Sequence, residues 1–366
     1  IWPGIAEELL GTKAWYARDG LFDGVNAVLF THVSNNLSVS WGRARGTGLV
    51  SVEYLFDGEA AHGAGDPWEG RSALDAVELM NIAWNFRREH LHPLQRSHYV
   101  ISNGGDQPNV VPSSASVWYF IREVTADGIR ENFNTLHQIA EGASLMSDTS
   151  MSRRIIGAAY PRHFNQPIAI AMDENIQRVG LPQWSEDDQQ FARALQELMG
   201  SNDPQGLATE LSGITPDLEQ PISGGSDDIG DVSWNVPTVT LRFPSNVRGL
   251  QGHHWSSAMA MATPIAHKGA IAGAKVVATT MLDLLQSETL VEDAQAYFDD
   301  VQTFYEVYTP FFGRDYPAAF EKNDYILTDY RPVLEELYYD PSSFNTYLEQ
   351  LGIDYPQLEP SEIRRQ

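Results

Sequence analysis

Ala6-Glu7-Glu8 sets two adjacent carboxylates between an apolar approach (Ile1, Trp2, Ile5) and a helix-like run from Leu9 to Arg18. Further on, the short apolar run Leu29-Phe30-Thr31-His32-Val33 reads as a buried strand with an imidazole at its end. A carboxylate and a strand-end histidine are half of a metal site. The same acidic pair also fits the first turn of a helix, where Glu suits the positive end of the macrodipole. Gly252-His253-His254-Trp255 follows a strand and a loop, the place where ligands gather in α/β sheets, and reads equally as a polar loop. Ser223 to Asp231 packs Asp227, Asp228 and Asp231 into one loop. As a calcium loop it lacks the distal Glu of the EF-hand, and a turn whose Asp caps the next helix suits it as well. His62 lies in a glycine-rich loop beside Pro67, as a turn histidine would. Gln107-Pro108-Asn109-Val110-Val111-Pro112 fixes Asn109 between prolines, which either presents an amide to a ligand carboxylate or makes a turn.

Composition narrows these readings. With no cysteine there is neither a disulfide framework nor thiolate chemistry, so any metal must be held by His, Asp and Glu. A formal charge of −25 argues against nucleic acid, whose phosphates need clustered Lys and Arg. Lysine occurs at 13, 268, 275 and 322, so arginine supplies most of the positive charge. No apolar run reaches the length that crosses a bilayer, and no membrane partner is expected. At 366 residues, 42% of them hydrophobic, the chain reads as globular and long enough for two domains. The first residue is not Met and the opening residues read as the inside of a strand, so native sequence upstream is expected.

The elements that must position these residues follow from periodicity. Glycines 42, 46 and 48 with Arg43 and Arg45 read as a linker. Val50, Val52, Tyr54 and Phe56 then alternate as a half-buried strand. Leu74, Val77, Met80 and Trp84 fall at helical spacing. Residues 97–102 and the alternation Ala115, Val117, Tyr119, Ile121 give two more strands. Ile129 to Ala143 reads as an amphipathic helix and Ser150 to Ala159 as a fourth strand. The order β-α-β-β-α-β describes a small ferredoxin-like α+β module. Beyond it, Asp187 to Met199 and Ala270 to Leu285 read as helices, Thr238 to Phe243 as a strand, and the tail from 290 as helical and rich in Tyr and Phe.

Taken in order, the pieces resemble the di-metal aminoacylase and carboxypeptidase family of metallopeptidases, within its amidohydrolase subgroup. The resemblance is carried by Ala6-Glu7-Glu8, Gly20-Leu21-Phe22-Asp23, Thr31-His32, Gly58-x-Ala60-Ala61-His62, Gly70-Arg71-Ser72-Ala73-Leu74 and Gln107-Pro108-Asn109. It continues through Gly225-Ser226-Asp227-Asp228-Ile229-Gly230-Asp231, His253-His254-Trp255 and Ala266-His267-Lys268-Gly269. The resemblance implies an α/β catalytic domain, partial at its N-terminus, from 1–44 and 163–366, of which 290–366 is a helical extension. Into it an α+β ferredoxin-like lid and dimerisation domain is inserted over 45–162. It implies two divalent metal ions, Zn or Mn, bound in part by Glu8, His32 and His253, with Glu7 as general base and acid. His253 is preferred to His254 because its spacing to Trp255 and His267 fits the family pattern. In a homodimer formed through the lid domain, His62 would reach the partner subunit's site, while Asn109 and Arg122 would hold the substrate's carboxylate. The family draws further ligands, including the Asp that bridges the metals, from an upstream His/Cys-Gly-His-Asp stretch. This sequence contains no such stretch, so those ligands are expected upstream, on another polypeptide, or lost.

The chemistry so implied is hydrolysis of a small amide, an N-acyl amino acid or an aminobenzoyl-glutamate-like molecule. Bound metal would supply a water of pKa about 7 and a polarised carbonyl. Glu7 would take the water's proton and pass it to the leaving amine, and His62 would stabilise the oxyanion. Two other readings use the same residues. One is a non-catalytic binding or regulatory subunit that keeps the fold with an incomplete metal site. The other is an acidic ligand-binding protein with calcium among Asp227, Asp228 and Asp231.

Overall fold

A computed structural model describes residues 12–43, 46–214, 225–252, 254–319, 321 and 324–356. Helix α1 (Thr12–Arg18) precedes strands β1 (Val28–Ser34), β2 (Gly42–Arg43) and β3 (Gly48–Asp57). Next come α2 (Ala73–Arg87), β4 (Arg96–Asn103), β5 (Ser114–Glu123), α3 (Ala126–Ser147) and β6 (Ser150–Ala159). The rest runs through β7 (His163–Phe164), α4 (Gln166–Val179), α5 (Glu186–Leu198), α6 (Ile229–Ser233), β8 (Thr238–Pro244), α7 (Trp255–Met261) and α8 (Pro264–Gln286). Helices α9 (Glu288–Tyr297), α10 (Asp324–Glu335) and α11 (Tyr347–Gln350) follow.

Alternation in β3 and β5 decides the first core. Val50, Val52, Tyr54 and Phe56 share one face with Ala115, Val117, Tyr119 and Ile121, and all are buried. Two helices cover that face. Helix α2 lays down Ala73, Ala76, Val77, Met80 and Trp84, and α3 adds Ile129, Phe133, Leu136, Ala140 and Ala143. Each helix starts on a hydroxyl cap, Ser72 accepting from the Asp75 amide and Thr125 from that of Gly128. The sheet is antiparallel in the order β4-β5-β3-β6. Gly48 lies beside both Glu123 and the Ala159 end of β6, so both connections to the rest of the chain leave from one end. Asp57, Ser114 and Ser150 mark the other end.

Outside this module, β1 and β8 pair in parallel, one face packed on α4 and α8 through Leu29, Val239, Leu241, Ile168, Met172 and Val276. The stretch expected to be a linker is partly ordered, since Gly42 and Arg43 pair antiparallel with Phe164 and His163.

The tail departs from the helical expectation over 303–319. There the chain runs without regular structure along the seam between the module and the remainder. Toward the module, Phe312 and Tyr316 join its core, Arg130 donates to the carbonyls of Thr309 and Pro310, and Arg154 pairs with Glu321. Toward the other side, the Trp15 indole donates to Tyr316 O at 2.9 Å and Arg18 to Gly313 O at 2.9 Å. Prolines 310 and 317 and Gly313 break helical continuity here, while the aromatic rings find two surfaces to bury against.

Candidate functional site

Strands β1 and β8 run in register from Val28 opposite Thr238 to Ser34 opposite Pro244, and His32 faces Arg242 across the pair. Side chains alternate along a strand, so Phe30 and His32 lie on the same face as Thr240 and Arg242. Val28 and Phe30 pack there on Ile229 and Val232 of α6. His32 is half-buried, with Nδ1 2.7 Å from the Val33 carbonyl oxygen. With its proton on Nδ1 donated there, Nε2 is left as the lone pair that a divalent metal takes, so this imidazole fits a ligand role. It sits slightly inside the strand rather than at its tip, since Val33 and Ser34 are still paired after it.

The stretch just before and within α6 is the hub of the site, and each acid in it has a protein partner. Asp227 Oδ1 accepts the Ile229 amide at 3.0 Å. Asp228 takes both the backbone amide and the ammonium of Lys13, at 3.0 and 2.5 Å. Burial outweighs that lysine and pushes the Asp228 carboxyl up to about 6. Asp231, 1% exposed, accepts the Tyr160 amide and the Tyr308 hydroxyl, each at 2.8 Å. Burial raises it to about 7. Asp228 and Asp231 are thereby engaged as structural acids, while Asp227 Oδ2 is buried without a partner among the described residues. Among the described residues no group of three or more His, Asp or Glu side chains comes together to hold a metal.

The two ends of the module present different chemistry. At the end joined to the rest of the chain, Arg122 Nη1 donates to Ser226 Oγ at 3.0 Å, and Thr47 Oγ1 lies 3.0 Å from the same oxygen. The Arg122 guanidinium stands over the Phe120 ring at 5.2 Å, beside an apolar groove of about 210 Å³ lined by His98, Tyr99, Val100, Trp118 and Phe120. At the far end, the loops carrying His62 and Asn109 pack on each other. The Gly63 amide donates to Asn109 O at 2.7 Å, and His62 bridges Val110. Both side chains are exposed. His62 Nδ1 accepts from the amides of Ala64 and Gly65 at 3.2 and 2.9 Å, which puts the proton of the neutral ring on Nε2 as an outward donor. Strand β5 separates the ends: Ser114 to Arg122 at about 3.4 Å per residue is roughly 27 Å. Asn109 therefore keeps company with His62 rather than with Arg122, with which the sequence grouped it.

Of the residues expected to do chemistry, Glu7, Glu8 and His253 lie outside the described residues. His254 caps α7, its Nδ1 accepting from the Ser256 amide. Four residues of the site gave no sequence signal of their own or a slight one. Thr47 and Ser226 are ordinary hydroxyl residues in loops. Arg162 is 8% exposed, its Nη2 3.5 Å from Gly225 O. Arg242 sets a charge in the otherwise uncharged run of β8, and a charge inside a strand was the available clue. Burial lowers the pKa of both arginines, and for Arg242 the charge of Arg162 adds to the effect.

This geometry can be set beside known proteins. The peptidase dimerisation domain model matches residues 45–144. Those residues are an M20-type peptidase dimerisation domain. The chain is 32% identical over 318 residues to one of the subunits of the p-aminobenzoyl-glutamate hydrolase of Escherichia coli (strain K12), covering 80% of this chain and 65% of that protein. It is 26% identical over 294 residues to Xaa-Arg dipeptidase of Mus musculus, covering 80% of this chain and 60% of that one. The chain thus spans less than two thirds of the length of these relatives. Among solved structures, the aminobenzoyl-glutamate utilization protein from Klebsiella pneumoniae aligns with a TM-score of 0.48 and 18% identity, over 72% of this chain and 56% of that one.

Proposed function

We propose that this chain belongs to a metal-dependent amidohydrolase that cleaves the amide bond of an N-acyl amino acid or an aminobenzoyl-glutamate-like small molecule. Residues 1–44 and 163–366 are assigned to the catalytic part and 45–162 to a ferredoxin-like lid and dimerisation domain. The observation that carries the reading is the meeting of Arg122 with Ser226, beside the α6 stretch on which the His32 face of the parallel strands packs. A carboxylate-binding group and a metal-binding imidazole then share one neighbourhood. The relatives named above, a p-aminobenzoyl-glutamate hydrolase component and an Xaa-Arg dipeptidase, support the amide as the bond cut.

The metals, Zn or Mn, would be held by His32 with Glu8 and His253, and would supply a water of lowered pKa and a polarised carbonyl. His254 is engaged as a helix cap, which favours His253 for the ligand role. Glu7 takes the proton of the attacking water and returns it to the leaving amine. Arg122 holds the substrate's carboxylate. His62 donates from Nε2 to the oxyanion, with Asn109 beside it. Because His62 and Asn109 sit at the module's far end, they serve the site of a second copy, and the working unit is a homodimer. Edge strand β4, with Val100 and Ile101 exposed, supports the module as the surface that pairs.

The alternative is a non-catalytic binding or regulatory subunit that keeps the fold with an incomplete metal site. Metal analysis together with Glu7→Ala separates the two. The hydrolase reading expects bound Zn or Mn, and a rate lower by about 10²–10⁴ in the variant at unchanged metal content. No metal, or unchanged turnover in the variant, would refute it.

A further inference from the structure

Helices α2 and α3 cover one face of the module's sheet. On the other face Ala319 packs with Ile156 of β6 and Trp118 of β5. Toward edge strand β4 that face carries the apolar groove of about 210 Å³, where His98 and Val100 stand opposite Phe120 and Trp118. One end of the groove is basic. Arg96 faces Arg122 across the strands, one pair beyond His98 on the same face, and the Arg122 guanidinium lies over the Phe120 ring at 5.2 Å. In a chain with 49 acidic residues to 24 basic ones, such a rim runs against the general charge.

Helix α10 offers the opposite surface. Tyr330, Val333, Leu334 and Leu337 follow the spacing i, i+3, i+4, i+7, the stripe by which an amphipathic helix seats in a groove. Each of these side chains is exposed, Val333 to 58%, and so is every residue from Thr328 to Ser343. Asp329, Glu335 and Glu336 against Arg331 make this stretch acidic. A helix of this length is marginal in water unless its apolar face packs on something. The chain holds it at both ends: Glu321 pairs with Arg154 of β6, and the Tyr355 hydroxyl donates to Asp188 of α5 at 2.9 Å. The stripe is therefore presented from an anchored position, away from the groove of its own module.

We propose that α10 of one copy seats its apolar stripe in the β4–β5 groove of a second copy, and reciprocally, so that each module receives its partner's helix. Acidic helix and basic rim match in sign, which sets orientation and excludes like-charged partners. The reciprocal arrangement repeats one contact about a two-fold axis, as a closed pair requires. The groove belongs to the residues matched by the peptidase dimerisation domain, so the helix extends a surface already given to pairing. The contact rests on the homodimer proposed above only in taking the pair to be two copies of this chain.

Sedimentation velocity of the full chain over a range of concentrations gives the dissociation constant of the pair. Leu334 is exposed, so Leu334→Glu should leave the melting temperature unchanged while raising that constant about tenfold or more, the scale of one apolar side chain withdrawn from a groove. A parent chain that stays monomeric overturns the contact. So does a dimer that Leu334→Glu leaves unchanged, although pairing of the modules would then still stand. Since the chain has no cysteine, the contact can also be located. His98→Cys and Leu334→Cys in separate chains, mixed and treated with a short bis-maleimide, should yield a covalent dimer containing one of each, identified by mass with one chain isotopically heavy. No such dimer overturns the proposal. With both cysteines in one chain, exchanged into a tenfold excess of parent, the link should fall about tenfold. A link that survives this dilution places the helix on its own groove and overturns the exchange. None of these readouts uses metal or turnover, so the contact and the hydrolase reading fail separately.

Discussion

Arg122 and Ser226 join the inserted module to the rest of the molecule through one hydrogen bond of 3.0 Å, and Thr47 Oγ1 shares the serine oxygen. That bond fixes one edge of the guanidinium. Ser226→Ala removes that anchor without touching the charge. A hydrogen bond to a charged group is worth roughly 1.5–3 kcal/mol, so KM for the amide substrate should rise about tenfold or more while kcat changes little. Steady-state kinetics with the Ser226→Thr variant as rescue checks this; a fall in kcat at constant KM would contradict a positioning role.

The second prediction concerns the irregular segment over 303–319. Tyr308 donates to Asp231 at 2.8 Å, and Asp231 is almost fully buried. Tyr308→Phe leaves that carboxylate short of a donor, at a cost of about 1–3 kcal/mol. Denaturant unfolding should register the loss, and amide exchange should quicken over 303–319 and around Tyr160. Loss of stability with exchange quickened elsewhere but not in this segment would show that the segment does not clamp the seam.

pH dependence follows from the same carboxyl. Asp231 has its folded pKa raised from 3.8 to about 7 and Asp228 to about 6, both through burial. A raised acid binds its proton more tightly folded than unfolded, so its contribution is complete below about pH 4 and is lost as pH climbs toward 7. For Asp231 the loss is on the order of 4 kcal/mol at most. Asp231→Asn should therefore show a shallower decline in urea midpoint between pH 4 and 8 than the unaltered chain. Parallel declines would mean that the carboxyl is not held neutral in the fold.

Metal binding is checked through His32. His32→Ala should lower the content of Zn or Mn after dialysis against a weak chelator, with little change in melting temperature of the metal-free protein, because the half-buried ring packs lightly. Equal metal content in variant and parent would remove His32 from the ligand set.

Much of the module was legible because its signals are local and agree with one another. Alternation in β3 and β5 and the helical spacing of Leu74 to Trp84 specify element type and buried face together, and Ser150–Ala159 is the strand expected. The site was legible in its residue types more than in its grouping. Asn109 and Arg122 are thirteen positions apart in sequence and look like neighbours, but a whole strand lies between them. Strand length, not sequence separation, decides which end a loop residue reaches. Arg162 escaped notice because nothing local distinguishes a surface arginine from one that folding buries, while Arg242 offered only the slight clue of a charge inside a strand. The stretch over 303–319 misled for a related reason. Its Tyr and Phe content suits helical packing, while its prolines and long-range contacts favour an irregular path.

The most direct test of a site assembled from two copies is to mix variants within one dimer. His62→Ala removes a group from the far end of the module and Arg122→Ala one from the near end, and each variant alone should be inactive. Unfolding and refolding the two together should form mixed dimers in which one of two sites has both groups, restoring about a quarter of the parent activity on random pairing. Recovery at that level supports the shared site. No recovery, with mixed dimers demonstrated by mass, would contradict it.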